Sequence, residues 1–377
     1  MPKKGMYCSV PTKDGIQLKM RRYTPAGGDV AKNPVILFHG VLANKHSLDF
    51  GDPDDKNQNL KELWDTYSLA AYLSQEGNDD MKFDVWVPEL RGRRSFHSFS
   101  CEYPDMPEPP VWCVDDYIEK DVPAIIQKVQ ETYARERKEK DSNSPVKVFW
   151  VGMSMGGMLA YAYGENKRDS RNLMGVVTIG SPISFKHTGS FLIELASRIL
   201  APRRISVTIN LGKFLNNHKK IKNEFMENIV SKSTIDKDVM EEYITLGFDN
   251  DISSKVLSQF AVFFRHNNFC RYPRRPWAYD ILDRIPLVKR RIGPHSYTEE
   301  LHAFETPLLA LAGGKDREAP PQEVKYAVGH VGSRDITYRE FPDYGHLDFH
   351  LGMRAREEVY SLIHRWLSKR TTIVSPE

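Results

Sequence analysis

The sequence predicts an α/β protein: a mainly parallel sheet flanked by helices and interrupted by a largely helical insertion. Three observations lead there. Short apolar runs alternate with helix-like segments at both ends of the chain, as parallel strands joined by crossovers require. From about Pro182 to Glu305 that alternation stops. Near the C-terminus, Val359, Leu362, Ile363 and Trp366 recur at helical spacing, a stripe suited to packing on a sheet.

Taken in order, Ile16–Tyr23 and the apolar run Pro34–Phe38 are the first candidate strands. A helix is predicted over Leu60–Gln75, a strand over Phe83–Val87 and a long helix over Asp116–Arg137. Val146, Val148, Phe149, Trp150 and Val151 make a buried-strand run, and Gly156–Gly164 is rich in Ala, Leu and Tyr and reads as helix. Gly175–Ile179 is the last strand before the insertion, whose helical stretches are Phe191–Leu200, Lys220–Val230, Val239–Leu246 and Val256–Phe264. Strands Pro307–Ala312 and Ile336–Phe341 then bracket a helix at Pro321–Val328, and Arg354–Ser368 closes the pattern. Polar, Pro-rich or charged stretches at Asp52–Asn59, Tyr103–Pro110 and Arg135–Ser144 read as loops. The expected organisation is one core from residues 1–181 and 306–377, carrying residues 182–305 as the insertion.

Composition narrows the function classes. In 377 residues, 40% are hydrophobic and 27% charged, the balance of a soluble globular protein. A net charge of +3 gives no reason to expect nucleic acid or another polyanion as partner. No apolar run reaches the roughly eighteen residues of a membrane span. The opening Met-Pro-Lys-Lys-Gly-Met-Tyr has no apolar stretch behind its lysines, so no secretory signal is read and a cytoplasmic location is expected. Cys8, Cys101, Cys113 and Cys270 form no C-x-x-C pair, which disfavours structural zinc; reduced buried thiols are expected, with a Cys101–Cys113 disulfide open if the protein is exported. Oligomeric state is not legible.

The chemistry concentrates in residues 149–157, Phe-Trp-Val-Gly-Met-Ser-Met-Gly-Gly. A serine between glycines two positions away on either side, after a strand and before a helix, matches the G-x-S-x-G turn that exposes a nucleophile. An ordinary Gly-rich turn is the competing reading. A serine hydroxyl needs a base, an acid to orient that base, and donors for the oxyanion. His346, in Phe-Pro-Asp-Tyr-Gly-His-Leu-Asp-Phe just past the last strand, is the candidate base. Asp316, after the Pro307–Ala312 strand and Gly313-Gly314-Lys315, is the candidate acid, with Asp343 and Asp348 as rivals. The order Ser154, Asp316, His346 is that of one triad class. His39-Gly40 ends an early strand, so the amides of Val41 and Met155 are the candidate oxyanion donors, with His39 as a loop-orienting residue. His346 and His350 lie at helical spacing, but no glutamate follows His346 as a zincin motif demands, so no metal and no organic cofactor are expected.

These segments resemble the α/β-hydrolase superfamily, and within it the acid lipase group (gastric and lysosomal lipases) with related plant and bacterial serine hydrolases. The resemblance rests on His39-Gly-Val-Leu-Ala43, Gly152-Met-Ser-Met-Gly-Gly157, Gly313-Gly-Lys-Asp316 and Tyr344-Gly-His-Leu-Asp-Phe349, with Lys13-Asp-Gly-Ile-Gln-Leu18 and Trp86-Val-Pro-Glu-Leu-Arg-Gly92 in support. It covers nearly the whole chain outside the insertion and implies the α/β-hydrolase fold, with residues 182–305 as a cap bearing an acyl-chain pocket. Those relatives carry a secretion signal, which is not expected here, and the chain reads Arg91-Gly92-Arg93-Arg94 where many have Arg-Gly-x-Gly. Ser154 separates it from polyester synthases, which use cysteine, and from dehalogenases and epoxide hydrolases, which use aspartate. The resemblance implies a serine hydrolase of carboxylic esters, with lipid or other apolar acyl esters favoured. A thioesterase, a small-ester hydrolase and a non-catalytic binding protein of the same fold are the alternatives. In the insertion, Phe191, Leu192, Leu195, Ile199, Leu200 and Phe263-Phe264 are candidates for the acyl pocket, though such stripes more often form a helical core. Basic clusters at Arg203-Arg204, Lys219-Lys220, Arg271–Arg275 and Lys289–Arg291 suggest peripheral contact with a lipid surface, against the blander reading of a solvated face.

Overall fold

The computed structural model describes residues 5–25, 29–76, 81–92, 111–136, 145–189, 208–231, 234–248, 250–274, 279 and 293–374. The strands of the first half are β1 (Met6–Pro11), β2 (Gln17–Tyr23), β3 (Val30–Ala31), β4 (Val35–Phe38), β5 (Val85–Glu89), β6 (Val148–Met153) and β7 (Leu173–Ile179). Those of the second are β8 (Thr208–Asn210), β9 (Asp251–Ser253), β10 (Leu308–Gly313), β11 (Ile336–Phe341) and β12 (Ile373–Val374). Eight of them form one sheet in the order β1-β2-β5-β4-β6-β7-β10-β11. The β1–β2 and β2–β5 pairs are antiparallel; every pair from β5 to β11 is parallel. This is the fold class that the alternation predicts. Strands β4, β6 and β10 are buried along their whole length, which is why they read as continuous apolar runs: helices cover both faces of a parallel sheet.

The labelled helices are α1 (Gln58–Tyr67), α2 (Val122–Glu136), α3 (Met155–Gly164), α4 (Leu211–Asn217), α5 (Lys219–Ile229), α6 (Lys237–Gly247), α7 (Ser254–His266), α8 (Pro321–His330), α9 (Asp348–Leu351) and α10 (Ser361–Ser368). Three predicted helices are interrupted, one of them, Arg354–Ser368, by a π-helical turn at Arg356–Tyr360 before α10. The Leu60–Gln75 helix breaks at Ser68, whose backbone is extended and whose hydroxyl accepts the amide of Ala71, starting a new turn. The Asp116–Arg137 helix contains a π-helical turn at Tyr117–Asp121 before α2 begins. Strand β1 was not predicted. Val10 is its one fully buried side chain, so its alternation is too faint to read, yet it closes a hairpin on β2 through a turn with Gly15 at φ 85°.

Between β7 and β10 the described residues supply α4–α7 and the antiparallel β8–β9 pair. The expected Lys220–Val230, Val239–Leu246 and Val256–Phe264 helices correspond to α5, α6 and α7, while Phe191–Leu200 falls outside the described residues. These helices grip the loop that follows β4. Asn44 donates to the Leu246 carbonyl at 2.7 Å, its amide donates to Gly247 at 3.1 Å, and Asn250 donates to the Leu42 carbonyl at 2.6 Å. Beneath that loop, fully buried Asp49 accepts from Tyr23, Trp64 and Ser68, anchoring α1 to the sheet.

Against the expected buried thiols, Cys8 and Cys113 are half-buried; Cys270 is buried, and Cys101 lies outside the described residues. Among the described residues no helix is long and apolar enough to cross a membrane.

The tightest joint is where α3 meets the sheet. A Cβ on Gly156 would lie 2.3 Å from the Phe38 carbonyl oxygen, an atom of rigid strand backbone. Gly156→Ala is therefore expected to cost roughly 1–3 kcal/mol of overpacking, read as a lower urea midpoint in equilibrium unfolding; an unchanged midpoint would mean that α3 can back away freely.

Candidate active site

Ser154 stands between the end of β6 and the start of α3 with φ 53° and ψ −119°, a conformation that L-residues rarely adopt. Its neighbours have no room for side chains. A Cβ on Gly152 would meet the Gly156 carbonyl at 2.3 Å, and one on Gly157 would meet Ser181 Oγ at 2.1 Å. The strained turn that the G-x-S-x-G spacing predicts is thus present, and it leaves Ser154 half-buried at the floor of a cleft.

His346 lines the same cleft from the loop after β11. Its Nδ1 lies 2.8 Å from Asp316 Oδ2, so the proton of that bond sits on Nδ1 and the neutral ring keeps its lone pair on Nε2. Asp316 is turned toward the ring by its second oxygen, which accepts the amides of Glu318 at 2.9 Å and Ala319 at 2.8 Å. Burial alone would disfavour the charged imidazole of His346. The negative charge and hydrogen bond of Asp316, helped by Glu318 and Asp348, outweigh it and hold the pKa above the ordinary histidine value.

Asp343 and Asp348, the rival acids, have other partners. Asp343 is exposed and pairs with Lys315 at 2.9 Å, which lowers its pKa. Asp348 is buried and accepts the amides of Gly345 and Ser231; burial raises its pKa to about 6. His350 is buried with no hydrogen bond on either ring nitrogen, and burial together with the nearby His346 charge lowers its pKa to about 3. Its ring packs edge-on against Tyr243, a side chain of the cleft lining, at 5.1 Å. Among the described residues no group of three His, Cys, Asp or Glu side chains could hold a metal ion.

The loop after β4 reaches over Ser154. A Cβ on Gly40 would lie 3.3 Å from that of Ser154, and Val41 lines the cleft beside it. Met155 opens α3, so its amide belongs to the first turn, where no helical carbonyl is in reach. His39 is buried, with Nδ1 2.8 Å from the Gly40 carbonyl and Nε2 accepting the Leu90 amide at 3.3 Å, and so pins this loop.

Three features were missed in the sequence. Gly180, at φ 51°, packs flat against the Asp316–His346 pair: a Cβ there would come within 3.0 Å of Asp316 Oδ2 and 3.2 Å of His346 Nδ1. A lone glycine after a strand gives no warning of that. Asn44 and Asn250 hold the Leu42 loop from residues some two hundred positions apart. Lastly, the apolar wall comes from Leu42, Phe225, Ile229, Tyr243, Phe248 and Leu347. The expected Phe263-Phe264 pair instead packs on Phe185, at 5.9 and 5.1 Å, within the insertion's own aromatic cluster. The other expected pocket residues, Phe191 to Leu200, lie outside the described residues, as do Arg203-Arg204, Arg275 and Lys289–Arg291; Lys219 and Lys220 are exposed.

Asp316→Asn should lower the His346 pKa, because it removes the main charge that raises it. Imidazole NMR titration reads this directly, and an unmoved pKa would mean that Glu318 and Asp348 set the ring's basicity.

With this geometry in hand, comparison with known proteins is consistent. The family described as serine aminopeptidase S33 matches residues 114–350, more than half of the chain. Human lipase member K is 22% identical over 371 residues, covering 93% of this chain and 84% of the relative. Triacylglycerol lipase 2 of Arabidopsis thaliana is 22% identical, covering 96% of this chain and 84% of that one. Among solved structures, an esterase from Exiguobacterium antarcticum superposes with a TM-score of 0.57 at 13% identity, covering 96% of this chain and 100% of that one, a likeness of fold. The strand order, the sheet's helical cover and the family match agree: the chain is an α/β-hydrolase and belongs to the serine aminopeptidase S33 family.

Proposed function

We propose that the protein is a serine hydrolase of carboxylic esters, with lipid or other apolar acyl esters as its favoured substrates. The observation that carries this reading is the convergence, in one apolar-walled cleft, of a serine on a strained turn and a histidine held by a buried aspartate. Ser154 Oγ attacks the ester carbonyl while His346 Nε2 takes its proton, and Asp316 stabilises the imidazolium. The amides of Val41 and Met155 receive the oxyanion; one such donor is typically worth about 3 kcal/mol. Collapse of the tetrahedral intermediate expels the alcohol, which leaves with the proton from His346. Water then attacks the acyl-enzyme by the same route and releases the acid. Residues 182–305 act as a cap, with Phe225, Ile229, Tyr243 and Phe248 as the wall against which the acyl chain lies. The lipase relatives support the substrate class, and exposed Lys219 and Lys220 suit contact with an anionic lipid surface.

A second reading has one observation in its favour. Glu318 brings a carboxyl side chain to the cleft wall, which suits a substrate with a free amino group, as an aminopeptidase takes. The apolar remainder of the wall favours the ester, and amino-acid p-nitroanilides separate the two. A thioester or a small ester remains compatible with the same three side chains.

Hydrolysis of p-nitrophenyl esters from acetate to palmitate, by wild type and Ser154→Ala in parallel, tests the proposal. Activity that depends on Ser154 and rises with chain length is expected; full activity of the alanine variant would sink the mechanism. Since His346 must be neutral to accept a proton and its pKa is raised, kcat/KM should fall as pH drops through a value above the ordinary 6.5. An acid limb below that value would place the base elsewhere.

A further inference from the structure

Beyond the small push its charge gives the His346 pKa, Asp348 has no task in the chemistry above, yet its surroundings are built with care. The side chain is fully buried, and a single oxygen, Oδ2, accepts the Gly345 amide at 2.9 Å and the Ser231 amide at 3.0 Å. Gly345 is the residue before His346. Ser231 lies two residues beyond the end of α5, the helix that contributes Phe225 and Ile229 to the cleft wall. Backbone bonds repeat the connection on either side. The Leu347 amide donates to Ile229 at 3.0 Å, Met353 donates to Thr234 at 2.9 Å, and Ile235 bridges Gly352. Packing at the junction is tight: a Cβ on Gly345 would lie 2.9 Å from Asp348 Oδ2 and 3.0 Å from the Ser231 nitrogen.

We propose that Asp348 is the positioning residue for His346, locking the histidine loop to the acyl-pocket wall so that the imidazole is aligned with Ser154 only when that wall is seated. This deepens the serine-hydrolase reading and rests on it. Asp316 fixes the ring's rotation through Nδ1 but exerts no hold on where the loop backbone lies; the Gly345 amide, one residue away, does. A charged oxygen is the strongest acceptor available to two converging amides. With it removed, both amides are left buried and unpaired, and the loop relaxes to satisfy them elsewhere. A buried aspartate with a merely structural role would, when replaced, lower stability and leave the folded enzyme's turnover alone. A positioning residue lowers kcat in the folded enzyme while KM stays put, and is rescued by a side chain that keeps the acceptor oxygen.

The test uses the full chain and the p-nitrophenyl ester that wild type hydrolyses fastest, with kcat expressed per folded enzyme as measured by circular dichroism. Asp348→Ala removes the shared acceptor, and Asp348→Ser draws its shorter hydroxyl one bond back from both amides; Asp348→Asn retains a carbonyl oxygen in its place. The Ala and Ser variants should lose about tenfold to hundredfold in kcat, the cost of an ångström-scale misplacement, with KM nearly unchanged. The Asn variant should stay close to wild type. Wild-type kcat in the Ala or Ser variant, an equal loss in all three, or a loss confined to KM would overturn the inference. So would failure of both small variants to fold, which would make Asp348 a determinant of the fold. Ser154→Ala, run alongside, separates the two levels: activity there defeats the hydrolase mechanism, whereas its inactivity beside a fully active Asp348→Ala defeats only this inference.

Discussion

Everything at the candidate site depends on how closely the first turn of α3 approaches the end of β4. That approach is possible because Gly156 has no side chain where the Phe38 carbonyl lies, and because Gly152 leaves space for the Gly156 carbonyl. Trp150 Nε1 donates to that same carbonyl at 2.9 Å, fixing the turn from beneath. Ser154, caught between strand and helix, is forced to a positive φ, a strain of order 1–3 kcal/mol that only rigid surroundings sustain. The surroundings are rigid: β6 is buried throughout and paired on both sides, with β4 and β7. The same approach brings Gly40 against Ser154.

Three aspartates near the sheet's C-terminal edge show how environment assigns roles to identical side chains. Asp316 is buried, faces His346 with one oxygen and binds two amides of its own loop with the other. Asp343, exposed beside Lys315, is a surface ion pair of the kind that contributes little. Asp348 is buried, and burial raises its pKa to about 6. Nothing in the residue type separates the three; the amides and charges that meet each carboxylate do.

The segment between β7 and β10 and the β4 loop are held together from both sides. Asn44 and Asn250 fasten that loop to the C-terminal end of α6 and the turn beyond it, while Ile229 and Ser231 fasten the far side to the histidine loop. The cleft wall and the groups that would do chemistry therefore share one hydrogen-bond framework.

The alternation of short apolar runs with helical stretches was legible in the sequence, because strand and helix periodicity is a property of near neighbours. The glycines around Ser154 were legible for the same reason: the turn they permit spans a few residues. Strand β1 escaped notice because a single buried side chain leaves no alternation to see, and the break at Ser68 because a serine within a helical stretch is ambiguous until its hydroxyl finds an amide. His346 and Asp316 could be named from their places after strands, but their separation from Asp343 and Asp348 could not. Only the tertiary structure decided that Asp316 faces the imidazole, that Gly180 packs on the pair, and that Phe225, Ile229, Tyr243 and Phe248 form the wall rather than Phe263 and Phe264. The physical reason is range. Local pattern determines which face of an element is apolar, whereas which apolar faces and which carboxylates meet depends on contacts between residues that can lie more than two hundred positions apart, and those exist only once the chain has folded.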